Sequence, residues 1–290
     1  MNRSELVSLI RQKKSFLCVG LDSDPEKIPA FLKENFEDPV YEFNRQIIDA
    51  TLPYAVACKP NIAFYESMGS AGWKTLEKTM EYLNSLPAKV FSIADAKRGD
   101  IGNSAAHYAR AFFDTLGFDA VTVSPYMGED SVAPFLAYKD KWTILLALTS
   151  NAGSEDFQVL QPQIPALLER LGIRATYWKK LYELVMEKAL TWENAQQIMF
   201  VVGATQAEML SQVREIAPDS FLLVPGVGAQ GGSLEQVAQN GMNKDCGLLV
   251  NASRSILYAS SGEDFTQAAA HEARKMQEEM EKLLKDKGIV

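Results

Sequence analysis

The sequence predicts an α/β fold of the TIM-barrel class, a (β/α)8 barrel forming a single domain over residues 1–290. Three observations carry that prediction. Eight short apolar runs recur along the chain, the segments between them have helical periodicity, and each run ends in a side chain able to bind or react. The runs are "FLCVGLD" from Phe16, "AVACKP" from Ala55, "KVFSIADAK" from Lys89, "FDAVTVSPY" from Phe118, "WTILLALTS" from Trp142, "QIMFVVGAT" from Gln197, "FLLVPGVG" from Phe221 and "CGLLVNASR" from Cys246. Each is rich in β-branched or aromatic residues and reads as a strand buried on both faces. Between them, "YEFNRQIIDATL" from Tyr41 and "GWKTLEKTMEYLNSL" from Gly72 repeat apolar residues at the spacing of an amphipathic helix. Eight β/α alternations call for parallel strands with helical crossovers. The same units can wind an open sheet, so the strand ends decide. Asp22, Lys59, Asp95 with Lys97, Tyr126, Ser150, Thr205, Gln230 and Arg254 stand at or just beyond the eight carboxyl ends. A closed barrel gathers them around one mouth, where barrel enzymes keep their sites.

The 290 residues are 47% hydrophobic and 23% charged, an ordinary globular composition with room for a sizeable core. A net charge of -8 and a pI near 5.0 argue against nucleic acid or an anionic membrane as partner, since both require a basic surface. A small anionic ligand remains compatible if a few basic groups converge. The opening "MNRSELVSLIRQKKSFLCVGLD" lacks the apolar core of a signal peptide, and no run approaches the roughly 20 apolar residues of a membrane span, so a cytoplasmic protein is expected. Cys18, Cys58 and Cys246 lie far apart in or beside apolar runs, which reads as buried, reduced thiols. His107 and His271 are the two histidines, too few for a multi-histidine metal site, and both fall on helical, solvated stretches.

One connection is longer than the rest, from Ser150 to Gln197. Its later part, Ile173 to Ala195, reads as the crossover helix. Residues of about 151–172, with Gly153, Gln158 and two prolines, read either as a lid over the mouth or as a surface insertion. The tail from Glu263 to Lys287 is a charged amphipathic helix with Glu/Lys pairs, expected on the outer face.

Two motifs point elsewhere at first sight. "GVGAQGG" from Gly226 satisfies the dinucleotide pattern G-x-G-x-x-G, yet it follows the seventh strand, and Asp245 precedes the next strand instead of ending it. In a barrel, the loops after strands seven and eight often bind phosphate, and Arg254 supplies the matching charge, which favours a phosphate site over a merely structural tight turn. "RGD", Arg98 to Asp100, is an adhesion tripeptide, but three residues recur by chance and no export signal accompanies them. An adhesion module would lack a coherent catalytic pocket; an enzyme would place Asp95 and Lys97 inside one.

The stretch "FSIADAKRGDIGNS", Phe91 to Ser104, places Asp95, Lys97, Arg98 and Asp100 within six residues. Alternate strand residues face one side, so Asp95 and Lys97 are expected to project together, with Arg98 and Gly99 forming the turn. Lys59 and Asp22 approach from neighbouring strands, giving a net of two carboxylates and two ammonium groups. Such a net is either structural or functional. Desolvation makes it a poor stabiliser, which favours function.

These residues carry a family resemblance. "DAKRGDI" resembles the D-x-K-x-x-D-[IV] signature of the orotidine 5'-phosphate decarboxylases, and "VPGVGAQGG" followed by "ASRSI" is similar to that family's phosphate-binding ends of strands seven and eight. "VGLD" and "KPN" match in the family's order and spacing, so the likeness spans Phe16 to about Ile256 and looks most like the longer bacterial type. It implies decarboxylation of orotidine 5'-monophosphate to UMP with no metal and no organic cofactor. It assigns Asp95 to the substrate carboxylate and Lys97 to stabilising and protonating the C6 carbanion. Lys59 and Asp22 are assigned to the ribose hydroxyls and the alignment of the charges. Asp100 and Ile101 are implied to reach the neighbouring subunit's site, with Ser104 in a cross-subunit ribose contact, hence a homodimer with shared sites. Ser150 is assigned to the pyrimidine, Gln230 and Arg254 to the phosphate, and Pro225 and Val227 to the wall. Ser104 stands where many members have Thr, and Ser253 where many have Gly. The alternative is a Mg2+-dependent barrel lyase acting on a 3-keto-sugar phosphate, whose site needs a second acid where this sequence has Lys59.

Overall fold

All eight apolar runs form strands: β1 (Leu17–Leu21), β2 (Ala57–Pro60), β3 (Phe91–Arg98), β4 (Ala120–Val123), β5 (Trp142–Leu148), β6 (Ile198–Val202), β7 (Leu222–Pro225) and β8 (Leu248–Ala252). A computed structural model of the chain describes residues 1–162, 179–227 and 231–290, the side chain of Gln206 apart. The strands pair in sequence order, and β8 returns to β1, closing a parallel barrel. Every residue of β1, β2, β4, β6 and β8 is buried, because one face fills the barrel and the other is covered by helices.

Local sequence explains the outer ring. Asp38 caps the helix Pro39–Thr51 by accepting the Tyr41 N–H at 3.1 Å, Pro39 occupies its first turn, and Val40, Phe43, Ile47 and Ile48 face inward. The charged tail is the helix Phe265–Asp286, amphipathic as expected, with Phe265, Ala269, Ala273, Met280 and Leu284 buried. Phe265 stacks on Phe43 at 5.3 Å between ring centroids, joining the two helices. Cys18, Cys58 and Cys246 are buried and unpaired, and His107 and His271 are exposed on helices. No helix among the described residues is long and apolar enough to cross a membrane.

The long connection splits. Residues 151–162 include a short 3-10 helix, Ala152–Asp156, and the chain resumes in the helix Leu181–Ala189. Gln158 ties the first part to the end of β5, its side chain accepting the Thr149 N–H at 2.8 Å and donating to Thr149 Oγ1 at 2.9 Å. The remainder of the proposed lid, from 163 to 172, and the start of the expected crossover helix lie outside the described residues.

β3 departs from the expected extended geometry. Ala94 pairs with Val121 and Arg98 with Val123, so Asp95, Ala96 and Lys97 stand opposite the single residue Thr122. This is a bulge, and Lys97 takes a left-handed backbone with φ of 47°. Arg98 ends the strand instead of forming the turn: its carbonyl accepts the Ser124 N–H at 2.7 Å, and its guanidinium turns away to pair with Glu66 and to lie over the Tyr108 ring.

Candidate active site

At the carboxyl ends of the strands opens a cavity of about 430 Å³. Asp22 enters from β1, Lys59 and Asn61 from β2, Asp95 from β3, Pro225 to Val227 from β7, and Asn251 to Ser255 from β8. Gly20 permits this crowding, since a Cβ there would lie 1.9 Å from Ser253 Oγ and 3.1 Å from Asn251 Oδ1.

Asp95 is the centre of the charge net. Lys59 Nζ donates to its Oδ2 at 2.7 Å and Lys97 Nζ to its Oδ1 at 2.6 Å, while Asp22 Oδ1 stands 3.9 Å from Lys59 Nζ. Burial alone would raise the Asp95 pKa, but the two ammonium groups outweigh it and hold the carboxyl well below its usual range. Lys59 is 3% exposed; burial favours its neutral form, and Asp95 and Asp22 reverse that and raise its pKa. Asp95 thus stays ionised and Lys59 protonated at neutral pH. Asp22 Oδ1 is buried and accepts no hydrogen bond, so the net keeps an unused acceptor on a residue that lines the cavity.

The bulge, not a regular strand, brings Asp95 and Lys97 together. A left-handed conformation in a non-glycine residue costs about 1–3 kcal/mol and marks positions held by their surroundings. Here the Lys97 N–H donates to Thr122 Oγ1 at 2.9 Å, and the Lys97 side chain, half exposed, folds back to Asp95. Thr122 was not anticipated from the sequence; neither were Asn61, Asn251 and Tyr258, whose hydroxyl donates to the Asp22 carbonyl at 2.8 Å.

Of the other expected site residues, Pro225, Val227 and Arg254 line the cavity, with Arg254 exposed at its rim. Gly226 has a φ of 99°, Val227 bridges to Gly232, and Ser233 caps the helix Leu234–Gly241 that follows. Gln230 lies outside the described residues. Ser150 stands at the end of β5, packed against Gly203, where an added Cβ would come within 2.7 Å of it. Asp100, Ile101 and Ser104 are not brought to this cavity. Asp100 and Ser104 line a separate depression with Glu66, Trp73, Arg98 and His107, and Ile101 is 55% exposed. Among the described residues no group of three or more His, Cys, Asp or Glu side chains is arranged to hold a metal ion.

Fold and site together define a (β/α)8-barrel enzyme with alternating charges at the strand ends and an arginine on the adjoining rim. A family model described as Orotidine 5'-phosphate decarboxylase / HUMPS family matches residues 15–273. The chain is 57% identical over 290 residues, the whole of both proteins, to the orotidine 5'-phosphate decarboxylase of Porphyromonas gingivalis. It is 54% identical over 284 residues to that of Phocaeicola vulgatus, covering 98% of this chain and 99% of the relative. Among solved structures, the OMP decarboxylase of Leishmania donovani superposes with a TM-score of 0.75 at 35% identity, over 96% of this chain and 99% of that one. The chain belongs to the orotidine 5'-phosphate decarboxylase / HUMPS family.

Proposed function

We propose that the chain decarboxylates orotidine 5'-monophosphate to UMP and CO2, without metal or organic cofactor. The observation that carries the reading is Asp95, held ionised between Lys59 and Lys97 beside a cavity that runs on to Arg254. With the phosphate at Arg254 and Gln230, between walls of Pro225 and Val227, the pyrimidine lies toward Ser150 and the charge net. Asp22, with its unused buried acceptor, and Lys59 take the ribose hydroxyls. The substrate carboxylate then faces Asp95. Two like charges at about 4 Å repel by about 4 kcal/mol at an effective dielectric near 20, a fraction of a large catalytic effect. The larger share falls to Lys97. As the C6–carboxylate bond breaks and its electron pair stays on C6, the ammonium stabilises the developing carbanion, then transfers a proton from Nζ to C6. The phosphate grip contributes binding energy remote from the reacting bond.

The reading extends to a cytoplasmic homodimer with shared sites. In support, Ile101, Tyr108, Tyr126 and Met127 are exposed large hydrophobics, and Gly99 lies against Ser124 and Met127, so the loops bearing them adjoin. Asp100, Ile101 and Ser104 would complete the neighbour's mouth, which accounts for their absence from their own.

The Mg2+-dependent lyase reading lacks its second acid, because Lys59 occupies the end of β2 and pairs with Asp95. The test is direct. Purified protein should convert orotidine 5'-monophosphate to UMP at an unchanged rate with excess chelator present. Folded protein that is inactive, or active only after Mg2+ is restored, would sink the proposal.

A further inference from the structure

The bulge in β3 turns on one side chain of β4. Thr122 is buried, in a strand whose other members are Ala120, Val121 and Val123. Its Oγ1 accepts the Lys97 N–H at 2.9 Å and lies 3.1 Å from Asp95 Oδ1 and 3.5 Å from the Ala94 carbonyl. The hydroxyl has one proton, and the nearer, charged carboxylate takes it. A closed ring results: the Lys97 N–H donates to Thr122, Thr122 to Asp95 Oδ1, and Lys97 Nζ to the same oxygen at 2.6 Å. Donation to a carboxylate polarises the hydroxyl and makes it the better acceptor for the amide. The ring therefore couples the left-handed backbone of Lys97 to the orientation of Asp95.

We infer that Thr122 is a positioning residue for the decarboxylation, holding the Lys97 ammonium and the Asp95 carboxylate in register through the bulge. This rests on the proposed role of Lys97. Without the hydroxyl, Lys97 keeps its charge but loses the hydrogen bond that fixes its left-handed backbone, so the ammonium no longer stands where charge develops on C6. Since Thr122 is not among the residues lining the cavity, nucleotide binding is retained.

Thr122→Val preserves shape and branching and removes both hydrogen bonds. It should lower kcat by about 30- to 100-fold, the scale of a misplacement of about 1 Å, while KM and the Kd for UMP stay within about threefold. Thr122→Ser retains the hydroxyl and should keep kcat within about fivefold of wild type. If Thr122→Val does not fold, Thr122→Cys, with a poorly hydrogen-bonding thiol, carries the same expectation. Unchanged kcat in Thr122→Val, a loss expressed in KM and UMP binding, or a Thr122→Ser variant as impaired as Thr122→Val would each overturn the inference. Lys97→Ala, assayed in parallel, separates the two levels: if it turns over normally, the role of Lys97 fails; if it is inactive while Thr122→Val is normal, the positioning role alone fails.

Discussion

Replacing Asp95 with Asn tests the charge net without altering the shape of the site. In the wild type, Lys59 Nζ is 2.7 Å from Asp95 and 3.9 Å from Asp22. At an effective dielectric near 20 these separations correspond to about 6 and about 4 kcal/mol of attraction, so Asp95→Asn removes the larger part of what keeps Lys59 charged. Some of that loss is offset because the carboxylate no longer has to be desolvated. Breaking one side of a buried pair leaves a net cost of about 3–5 kcal/mol. The Lys97 contact adds little to this figure, since that side chain is 52% exposed.

The sign of the pH dependence distinguishes a charge effect from a packing defect. In the wild type, the Lys59 pKa is raised above 10.5, so its contribution is fully present below that value and is lost as pH rises through the raised one. Asp95 is shifted the other way: its contribution is present above 3.8 and is lost as pH falls through its depressed value. In Asp95→Asn, burial acts on Lys59 with less to oppose it, and its pKa falls below 10.5. The penalty is then present at neutral pH and relieved as pH climbs toward 10.5. Urea unfolding at fixed protein concentration should show a destabilisation of about 3–5 kcal/mol at pH 7 that shrinks by pH 10. A loss under about 1 kcal/mol, or one equal at both pH values, would refute the claim that Asp95 sustains the buried ammonium.

Arg254→Ala should lower kcat/KM for orotidine 5'-monophosphate by about 10- to 150-fold, the worth of a charge-assisted hydrogen bond, and leave turnover of phosphate-free orotidine unchanged; equal losses on both substrates would exclude a phosphate role. Mixing inactive Asp100→Ala with inactive Lys97→Ala should restore partial activity through hybrid dimers, and no recovery despite demonstrated subunit exchange would count against shared sites. Arg214 lies at the opposite end of the barrel, donating to the carbonyls of Gly241, Ala217, Ser220 and Gly247 at 2.6–3.0 Å, with burial drawing its pKa down to about 10. Arg214→Leu removes all four donated bonds, leaving the Gly247 carbonyl only its bond from the Leu222 N–H, and should destabilise by about 3–5 kcal/mol with kcat intact; a fall in kcat without loss of stability would contradict a purely structural role.

The barrel was legible because its strands are buried on both faces, which leaves a run of β-branched and aromatic residues wherever a strand occurs. Of the strand-end residues, Asp22, Lys59, Asp95 and Arg254 line one cavity while Tyr126, Ser150 and Thr205 do not; Pro225 and Val227, which line it too, came from the family resemblance. The contact between Asp95 and Lys97 was expected, but from strand alternation, and the cause is different. No glycine announces the left-handed residue at Lys97, and the bulge depends on Thr122, 25 residues downstream. Thr122 was hidden for a physical reason: a β-branched residue within "FDAVTVSPY" reads as strand filler, and its hydroxyl acquires meaning once β4 lies beside β3. Arg98 and Gly99 looked like a turn because the charges begin there, yet pairing with β4 continues through Arg98.

The combination of buried charge and backbone strain around Asp95 argues for chemistry at β3. An apolar replacement of a buried ion pair is commonly neutral or stabilising, so Lys59 and Asp95 contribute little that leucine-like side chains would not. The left-handed Lys97 adds strain, and Asp22 Oδ1 adds a buried oxygen that accepts no hydrogen bond. Asp22, Lys59 and Asp95 line one cavity, and Lys97 Nζ reaches Asp95 Oδ1 at 2.6 Å. On the proposed reading, each finds its counterpart when substrate binds: the ribose hydroxyls meet Asp22, the developing carbanion meets Lys97, and the departing carboxylate relieves its repulsion with Asp95. The bulge also ends where Arg98 turns outward to Glu66, and the chain beyond it, Asp100 to Ser104, leaves its own mouth. One crossing of β3 therefore separates the residues that act within the chain from those that the dimer reading gives to the neighbour.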